Sequence, residues 1–215
     1  KNPDYLANLM MLPLVERERY LNGNWLIRAS AGTVFRRDWF EIVDAVPAGC
    51  IRVRGWDLAA TEPSALNSDP DWTAGVKLAK SPGGIFYVED VNRSRSMATQ
   101  VVRTLKNTAS QDGYDCRIAL FQDPGQAGKA QAGALVRELA GYNVTVRPAT
   151  GSKVSNAGPI SAQAGAGNIK LVRGAWNDAF LAELENFPDG SHDDQVDGLS
   201  GAFNEMTRTV PMMLA

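Results

Sequence analysis

The sequence predicts an α/β fold with a mixed central sheet, in which three antiparallel strands are followed by parallel strands and flanked by helices. Two observations favour it. Three alternating stretches of apolar and polar residues stand close together in the chain, joined by short polar segments. Stretches with helical spacing then alternate with short apolar runs, and a helix between two strands is typical of a parallel crossover.

The antiparallel strands come first. The stretch 51–60, IRVRGWDLAA, alternates and is rich in β-branched and aromatic residues, so we predict a strand. After a polar loop, two more strands are predicted over 72–80 and 85–93, joined by the turn SPGG. Three strands connected in this way form an antiparallel meander.

Helical spacing begins at 96–113, where Ser96 is the expected cap and Gly113 ends the helix. The short apolar run 116–124 ends in proline and predicts a buried strand. A helix over 130–141 and a strand over 143–148 follow. These elements predict a parallel crossover beside the meander.

The last third of the chain is less sharply patterned. Residues 151–173 are rich in glycine, serine and alanine with a weak helical centre, and 169–174 fits a strand or a hairpin. Two helices are predicted over 174–188 and 193–206. The resulting order, β-β-β-α-β-α-β-α, is the element order of an RNase H-like fold.

Composition is that of a globular protein, with 44% hydrophobic and 21% charged residues. A net charge of −2 argues against a strongly cationic nucleic-acid coat but leaves room for a local basic groove. The single histidine, His192, excludes zinc motifs that need two histidines. No apolar run approaches the roughly 18 residues that a membrane helix needs, so we expect a cytosolic protein without a membrane partner.

The chain is expected to form one domain, 49–215, preceded by an extension, 1–48. Two short helices are predicted in 4–22, broken by Pro13. Because the chain opens with Lys1, we expect it to be a fragment of a longer protein.

Aspartates stand in three places where apolar neighbours make a charge costly. Asp57 lies inside the first predicted strand, and Asp123 ends the strand of 116–124. Asp194 and Asp197 are three apart, so they share one face of the last helix with Gly198 and Gly201. A turn aspartate or a helix cap would explain Asp123, Asp193 or Asp194 without any metal, whereas a strand gives Asp57 no such local reason.

One shared site would account for the aspartates in all three places. If the first strand pairs in parallel with the strand that ends at Asp123, both carboxylates reach one sheet edge, and the last helix can bring Asp194 there. Carboxylates held together repel unless a cation neutralises them, and oxygen ligands favour Mg²⁺ or Mn²⁺. Two such ions can support phosphodiester cleavage. We therefore predict a metal centre.

At this point the chain resembles the C-terminal nuclease domain of large terminase subunits from tailed bacteriophages. The similar motifs are, in order, GWDLAAT, DWTAGVKL, FQDPGQAGKAQA, GSKVSNAGPISAQAGAGNIKLV and FPDGSHDDQVDGLSGAF. Residues 1–48 resemble the connector to the packaging ATPase domain of that family. The resemblance implies an RNase H/RuvC-like endonuclease that cuts concatemeric viral DNA during genome packaging with two Mg²⁺ or Mn²⁺ ions, in the cytoplasm of the host cell.

The resemblance also assigns residues. Asp57, Asp123 and Asp194 match the three catalytic metal ligands, with Asp197 and Asp193 as possible supplementary ligands. Gly198 stands where the family usually has alanine, and some members have glutamate at the position of Asp123. Candidate DNA-binding residues are Lys153, Lys129, Arg93, Arg95 and Arg147.

Double-stranded DNA is the expected partner, and the full-length protein would also bind the portal and the small terminase subunit. Two alternatives stay open: a junction resolvase of RuvC type, and a non-catalytic domain that docks on DNA or on the portal. The sequence GQAGKAQ (125–131) is no phosphate loop, because two residues rather than four separate its glycines.

Overall fold

The computed structural model describes residues 34–122 and 125–208. In these residues the strands form one seven-stranded sheet, in the order β1 (Glu41–Val43), β7 (Ile169–Val172), β4 (Phe86–Ser94), β3 (Thr73–Lys80), β2 (Ile51–Asp57), β5 (Cys116–Gln122) and β6 (Val144–Pro148). The sheet contains both antiparallel and parallel pairs and has helices on both faces, which confirms the predicted fold class. The two helices predicted in 4–22 lie outside the described residues.

The predicted meander forms the middle of the sheet. It comprises β2 (Ile51–Asp57), β3 (Thr73–Lys80) and β4 (Phe86–Ser94), each antiparallel to the next. Strand β2 is buried over most of its length because it lies between β3 and β5. An aspartate at its end is therefore held on a rigid central element.

Parallel strands extend the meander on both sides. Strands β5 (Cys116–Gln122) and β6 (Val144–Pro148) follow β2, and β7 (Ile169–Val172) pairs with β4. The segment 169–174 is thus a strand and not a hairpin. Strand β1 (Glu41–Val43), which the sequence analysis did not predict, pairs in parallel with β7.

Helices cover both faces. Helices α1 (Ala98–Asp112) and α2 (Gln126–Glu138) lie on one face. Helices α3 (Lys153–Gly165), α4 (Asn177–Asn186) and α5 (Asp194–Thr207) lie on the other. Helix α5 packs directly on the central strands β2 and β3.

Two apolar clusters hold these layers together, one on each face of the sheet. The cluster under α1 and α2 includes Trp56, Leu105, Ile118 and Leu135. The larger cluster, under α3, α4 and α5, also contains Phe35 and Phe40. Residues of the segment 1–48, which the sequence assigned to a connector, thus contribute to the core and to the sheet.

Two helix starts differ from the prediction. Met97, not Ser96, precedes α1; it makes no side-chain cap and is 59% exposed. Helix α2 begins at Gln126 rather than at 130, because Gly125, with φ of 108°, turns the chain four residues earlier. Gly113 ends α1 as predicted.

The face under α1 also contains buried charge. Arg54 is only 2% exposed, and its guanidinium donates to Asp112 at 2.5 and 3.0 Å and to Asp90 at 2.8 Å. Lys77 contacts Asp112 at 3.1 Å and Glu89 at 3.3 Å. Because each buried charge has opposite charges beside it, this network is structural.

Among the described residues, no helix is long and apolar enough to cross a membrane.

Candidate metal centre

Strand β2 delivers the first acid of the site. Side chains alternate along a strand, so Asp57 lies on the same face as Val53 and Gly55, the face that helix α5 covers. Burial, followed by the charges of Asp197 and Asp194, raises the pKa of Asp57 to about 8. This carboxylate is therefore held where its charge is unfavourable without a cation.

Strand β5 runs parallel to β2 at its side, with Trp56 opposite Leu120, and ends at Gln122. Parallel neighbours present their carboxyl ends at the same edge of a sheet, as the sequence analysis expected. Asp123 itself lies outside the described residues.

Helix α5 brings the other acids. Asp193 precedes its first turn, and Asp194 and Asp197 lie within that turn, where the helix dipole favours negative charge. The backbone N–H of Gln195 donates to the buried Glu183 of helix α4 at 2.6 Å, which fixes the start of the helix. Sequence reasoning missed Glu183, because only the packing of α4 on α5 brings it to this point.

Glycines let α5 approach the sheet, as the sequence predicted for Gly198 and Gly201. A β-carbon on Gly55 would clash with the carbonyl of Gly198 and lie 2.6 Å from the backbone nitrogen of Ala202. A β-carbon on Gly201 would meet the ring of Phe121. This close contact fixes the carboxylates of α5 relative to the end of β2.

Asp194 is the most deeply buried acid of the site, at 3% exposure. Its Oδ2 has no hydrogen-bond partner within the described part of the chain and lies 3.7 Å from His192 Nδ1, which also has none. Asp71 Oδ1 lies 3.8 Å from the same nitrogen. Burial, opposed by the backbone amide of Trp72, raises the pKa of Asp194 to about 6.

The carboxylate of Asp69 contacts the other ring nitrogen of His192, Nε2. His192 Nε2 lies 2.9 Å from Asp69 Oδ2; in the tautomer with its proton on Nε2, this nitrogen donates to Asp69 and the lone pair of Nδ1 faces Asp194 and Asp71. Arg95 contacts Asp69 as well, and its Nη2 lies 3.1 Å from His192 Nε2. Such a carboxylate behind a histidine is typical of metal-binding histidines.

One ligand atom from each of Asp71, His192 and Asp194 therefore lies within 4.8 Å of the other two. In the tautomer with its proton on Nε2, His192 adds Nδ1 as a third acceptor to the two carboxylates, and this set of acceptors fits a cation. Asp71 was not singled out from the sequence, because it lies in a polar loop where aspartate is ordinary. From the sequence, His192 served only to exclude zinc motifs that need two histidines.

Lys153, the first residue of α3, faces the other acids of α5. Its Nζ lies 2.6 Å from Asp193 Oδ1 and 2.9 Å from Asp197 Oδ2. Although partial burial opposes protonation, these hydrogen bonds raise the pKa of Lys153. Burial raises the pKa of Asp197, and the ammonium of Lys153 opposes that shift.

These side chains line one cleft of about 740 Å³. Asp57, Asp71, Asp193, Asp194 and Asp197 line it together with Lys153. The cleft continues along α5 past residues whose side chains are mainly polar or basic: Arg147, Asn156, Asn204, Glu205 and Arg208. Of the five predicted metal ligands, the described residues thus bring together all but Asp123.

The candidate DNA-binding residues are distributed unevenly. Lys153 and Arg147 line the cleft, and Arg147 donates to Glu205 at 3.0 Å. Arg93 and Arg95 stack on Trp72, each with its guanidinium carbon 3.9 Å from the ring centroid. Lys129 is exposed on α2, the helix layer of the opposite face. Their contact with DNA stays a prediction.

A mixed sheet in this order with a carboxylate cluster at the end of its central strand defines an RNase H-like domain. The family model described as the terminase RNaseH-like domain matches residues 54–206, and the chain belongs to this family. No protein with a curated description matches the chain.

Solved structures share the fold. The large terminase nuclease of thermophilic phage G20c, with bound zinc, superposes with a TM-score of 0.57 at 19% identity, over 78% of this chain and 95% of that one. The large terminase nuclease domain of Thermus phage P74-26 gives a TM-score of 0.55 at 16% identity, over 82% and 95%. The Mn-soaked, inhibitor-bound terminase nuclease domain of human cytomegalovirus gives 0.51 at 12% identity, over 84% and 90%.

Proposed function

We propose that this chain is a metal-dependent DNA endonuclease that cuts concatemeric viral DNA during genome packaging. The observation that carries the proposal is the set of buried acceptors at the end of the central strand. Asp194 Oδ2 and His192 Nδ1 lie 3.7 Å apart and have no hydrogen-bond partner among the described residues, and burial with the charges of Asp197 and Asp194 raises the pKa of Asp57 to about 8. Membership of the terminase RNaseH-like family supports the choice of nucleic acid as substrate.

Asp57, Asp123 and Asp194 would hold the metal, with Asp197 and Asp193 within reach. The structure adds Asp71 and His192 on the side of Asp194. When bound, two Mg²⁺ or Mn²⁺ ions in such a centre supply an activated water and stabilise the leaving oxygen of a phosphodiester. Mg²⁺-bound and Mn²⁺-soaked structures of terminase nucleases with this fold are consistent with this choice of ions.

The chain's own residues set the geometry of this centre. The close contact between Gly55 and helix α5 fixes the separation between Asp57 and Asp194. The contact between Asp69 and Nε2 orients the imidazole of His192 so that Nδ1 points towards Asp194 and Asp71. Preorganised ligands of this kind need little rearrangement when substrate arrives.

Double-stranded DNA is the proposed substrate, with one strand's backbone entering the cleft. Lys153 and Arg147 line the cleft near the acids and are placed to contact phosphate oxygens. Arg93, Arg95 and Lys129 are proposed as weaker contacts outside the cleft lining. In a full-length protein, residues 1–48 would connect to an ATPase domain, and the portal and small terminase subunit would be partners in the host cytoplasm.

The test is plasmid cleavage with the Asp57→Asn variant, which keeps the shape of the carboxylate but removes its charge. The unmodified chain should nick or linearise plasmid in Mn²⁺ or Mg²⁺ and lose this activity in EDTA. Asp57→Asn should lose it while folding normally, whereas the exposed control Asp115→Asn should keep it. Cleavage that survives in Asp57→Asn would contradict the proposed centre.

A further inference from the structure

Lys153 occupies a defined position between two acids of the site. Its Nζ lies 2.6 Å from Asp193 Oδ1 and 2.9 Å from Asp197 Oδ2. The lysine begins helix α3, whose start is capped by Ser152, the side chain of which accepts the N–H of Ser155 at 3.1 Å. Because α3 also packs on α5, the ammonium is delivered to these oxygens by two fixed helices.

The neighbouring acceptors have no such cation among the described residues. Asp194 Oδ2 and His192 Nδ1 are buried without hydrogen-bond partners, and Asp71 Oδ1 lies 3.8 Å from that nitrogen. We call Asp71, His192 and Asp194 the open group, and Asp193 and Asp197 the lysine-held group. The four aspartates of the two groups line one cleft, but the oxygens of the lysine-held group contact an ammonium, whereas Arg95 reaches the open group only at His192 Nε2, away from Nδ1.

We propose that Lys153 fills one of the cation positions of this centre, so that divalent ions load in order. The first ion enters at the open group, and an ion at the lysine-held group must displace the ammonium. This inference rests on the proposed function, because it assumes that the cleft takes divalent ions.

The order follows from elementary electrostatics. An oxygen that already accepts a charge-assisted hydrogen bond at 2.6 or 2.9 Å must give up that bond to a metal ion. An ion at the open group meets no such competition, and it relieves the buried and unpartnered oxygen of Asp194. Binding at the lysine-held group is therefore weaker by the cost of moving Lys153.

The experiment is calorimetric titration with Mn²⁺ of the unmodified chain, Lys153→Met and Lys153→Arg. The unmodified chain should show one tighter and one weaker class of site. Lys153→Met should tighten the weaker class by about tenfold or more, equivalent to about 1.4 kcal/mol. Lys153→Arg, which keeps the charge, should resemble the unmodified chain. Lys106→Met is the matched control, because Lys106 pairs at 2.9 Å with Glu138 on the opposite face of the sheet.

A second measurement uses only the unmodified chain, so it does not depend on whether a variant folds. In the unmodified chain with ¹³C-methylated lysines, Mg²⁺ should shift the Lys153 signal only in the second, weaker binding step. Equal Mn²⁺ isotherms for Lys153→Met and the unmodified chain would overturn the inference. A Lys153 signal that moves in the first binding step, or not at all, would overturn it as well. Either result would leave the nuclease proposal intact. Absence of any Mn²⁺ binding in all variants would instead refute the metal centre itself and the inference with it.

Discussion

Replacing Asp57 by asparagine should stabilise the metal-free protein at alkaline pH. The pKa of Asp57 is about 8 in the folded chain against 3.8 for an ordinary aspartate, because burial and the charges of Asp197 and Asp194 disfavour its ionised form. The folded state therefore holds a proton that the unfolded state has released, and stability falls as pH rises from the lower to the higher value. Asparagine has no proton to lose, so the variant escapes this fall.

The magnitude follows from the size of the shift. A difference of about 4 pKa units corresponds to about 6 kcal/mol at about 1.4 kcal/mol per unit, once the pH exceeds the folded pKa. Part of this is relieved because neighbouring carboxylates take up protons together with Asp57. We expect a measurable gain of about 2–3 kcal/mol above about pH 8, shrinking towards zero below about pH 4.

Urea unfolding in EDTA at about pH 5 and about pH 8.5 measures this gain. The exposed control Asp115→Asn should show no comparable change at either pH. Saturating Mn²⁺ should stabilise the unmodified chain more than Asp57→Asn, because a ligand that binds only the folded state adds stability by mass action. An Asp57→Asn variant that is no more stable at high pH, or that gains equally at both pH values, would refute the reasoning.

Two further variants test the packing around the site. Gly55→Ala should cost about 1–3 kcal/mol and weaken Mn²⁺ binding, because its β-carbon would force α5 away from β2. The control Gly133→Ala, in the middle of α2, should be neutral or stabilising by up to about 1 kcal/mol, because its β-carbon would make only an ordinary contact with the side chain of Arg137 at 3.8 Å. Unchanged Mn²⁺ affinity in Gly55→Ala, measured by calorimetry, would show that the close contact does not set the ligand geometry. Asp112→Asn should cost about 3 kcal/mol in urea unfolding near neutral pH, because it leaves the buried charge of Arg54 without its closest partner; a loss below about 1 kcal/mol would mean that Asp90 compensates.

The sequence predicted the central strands of the sheet but not its edge strand β1. Strands β2 to β6 follow alternation or short apolar runs, so their type could be predicted from residues within each strand. Strand β1 has three residues and depends on pairing with β7, which lies far along the chain. No local pattern of that length distinguishes a strand from a link. The start of α1 was misjudged for a similar reason, since a serine near a helix start is only a frequent cap.

The residues of the site also differ in whether the sequence alone could identify them. Asp57 stood out because the strand predicted over 51–60 placed it in a strand interior, although β2 ends at Asp57, and Asp194 stood out because an apolar helix is an unfavourable place for a carboxylate. Asp71 and Asp69 stand in a loop rich in polar residues, so nothing in their surroundings marks them before the loop is placed beside His192. The pairing of Lys153 with two acids likewise depends on how α3 meets α5. Contacts between distant elements, rather than residue type, made these roles visible.

The contact of the last described helix with the central strand has a consequence for biosynthesis. A ribosome releases Asp57 early, but α5 docks on β2 only after most of the remaining chain has emerged. A nascent or prematurely terminated polypeptide that lacks α5 therefore carries Asp57 without Asp194 and Asp197. Such an incomplete product would lack the complete proposed metal centre.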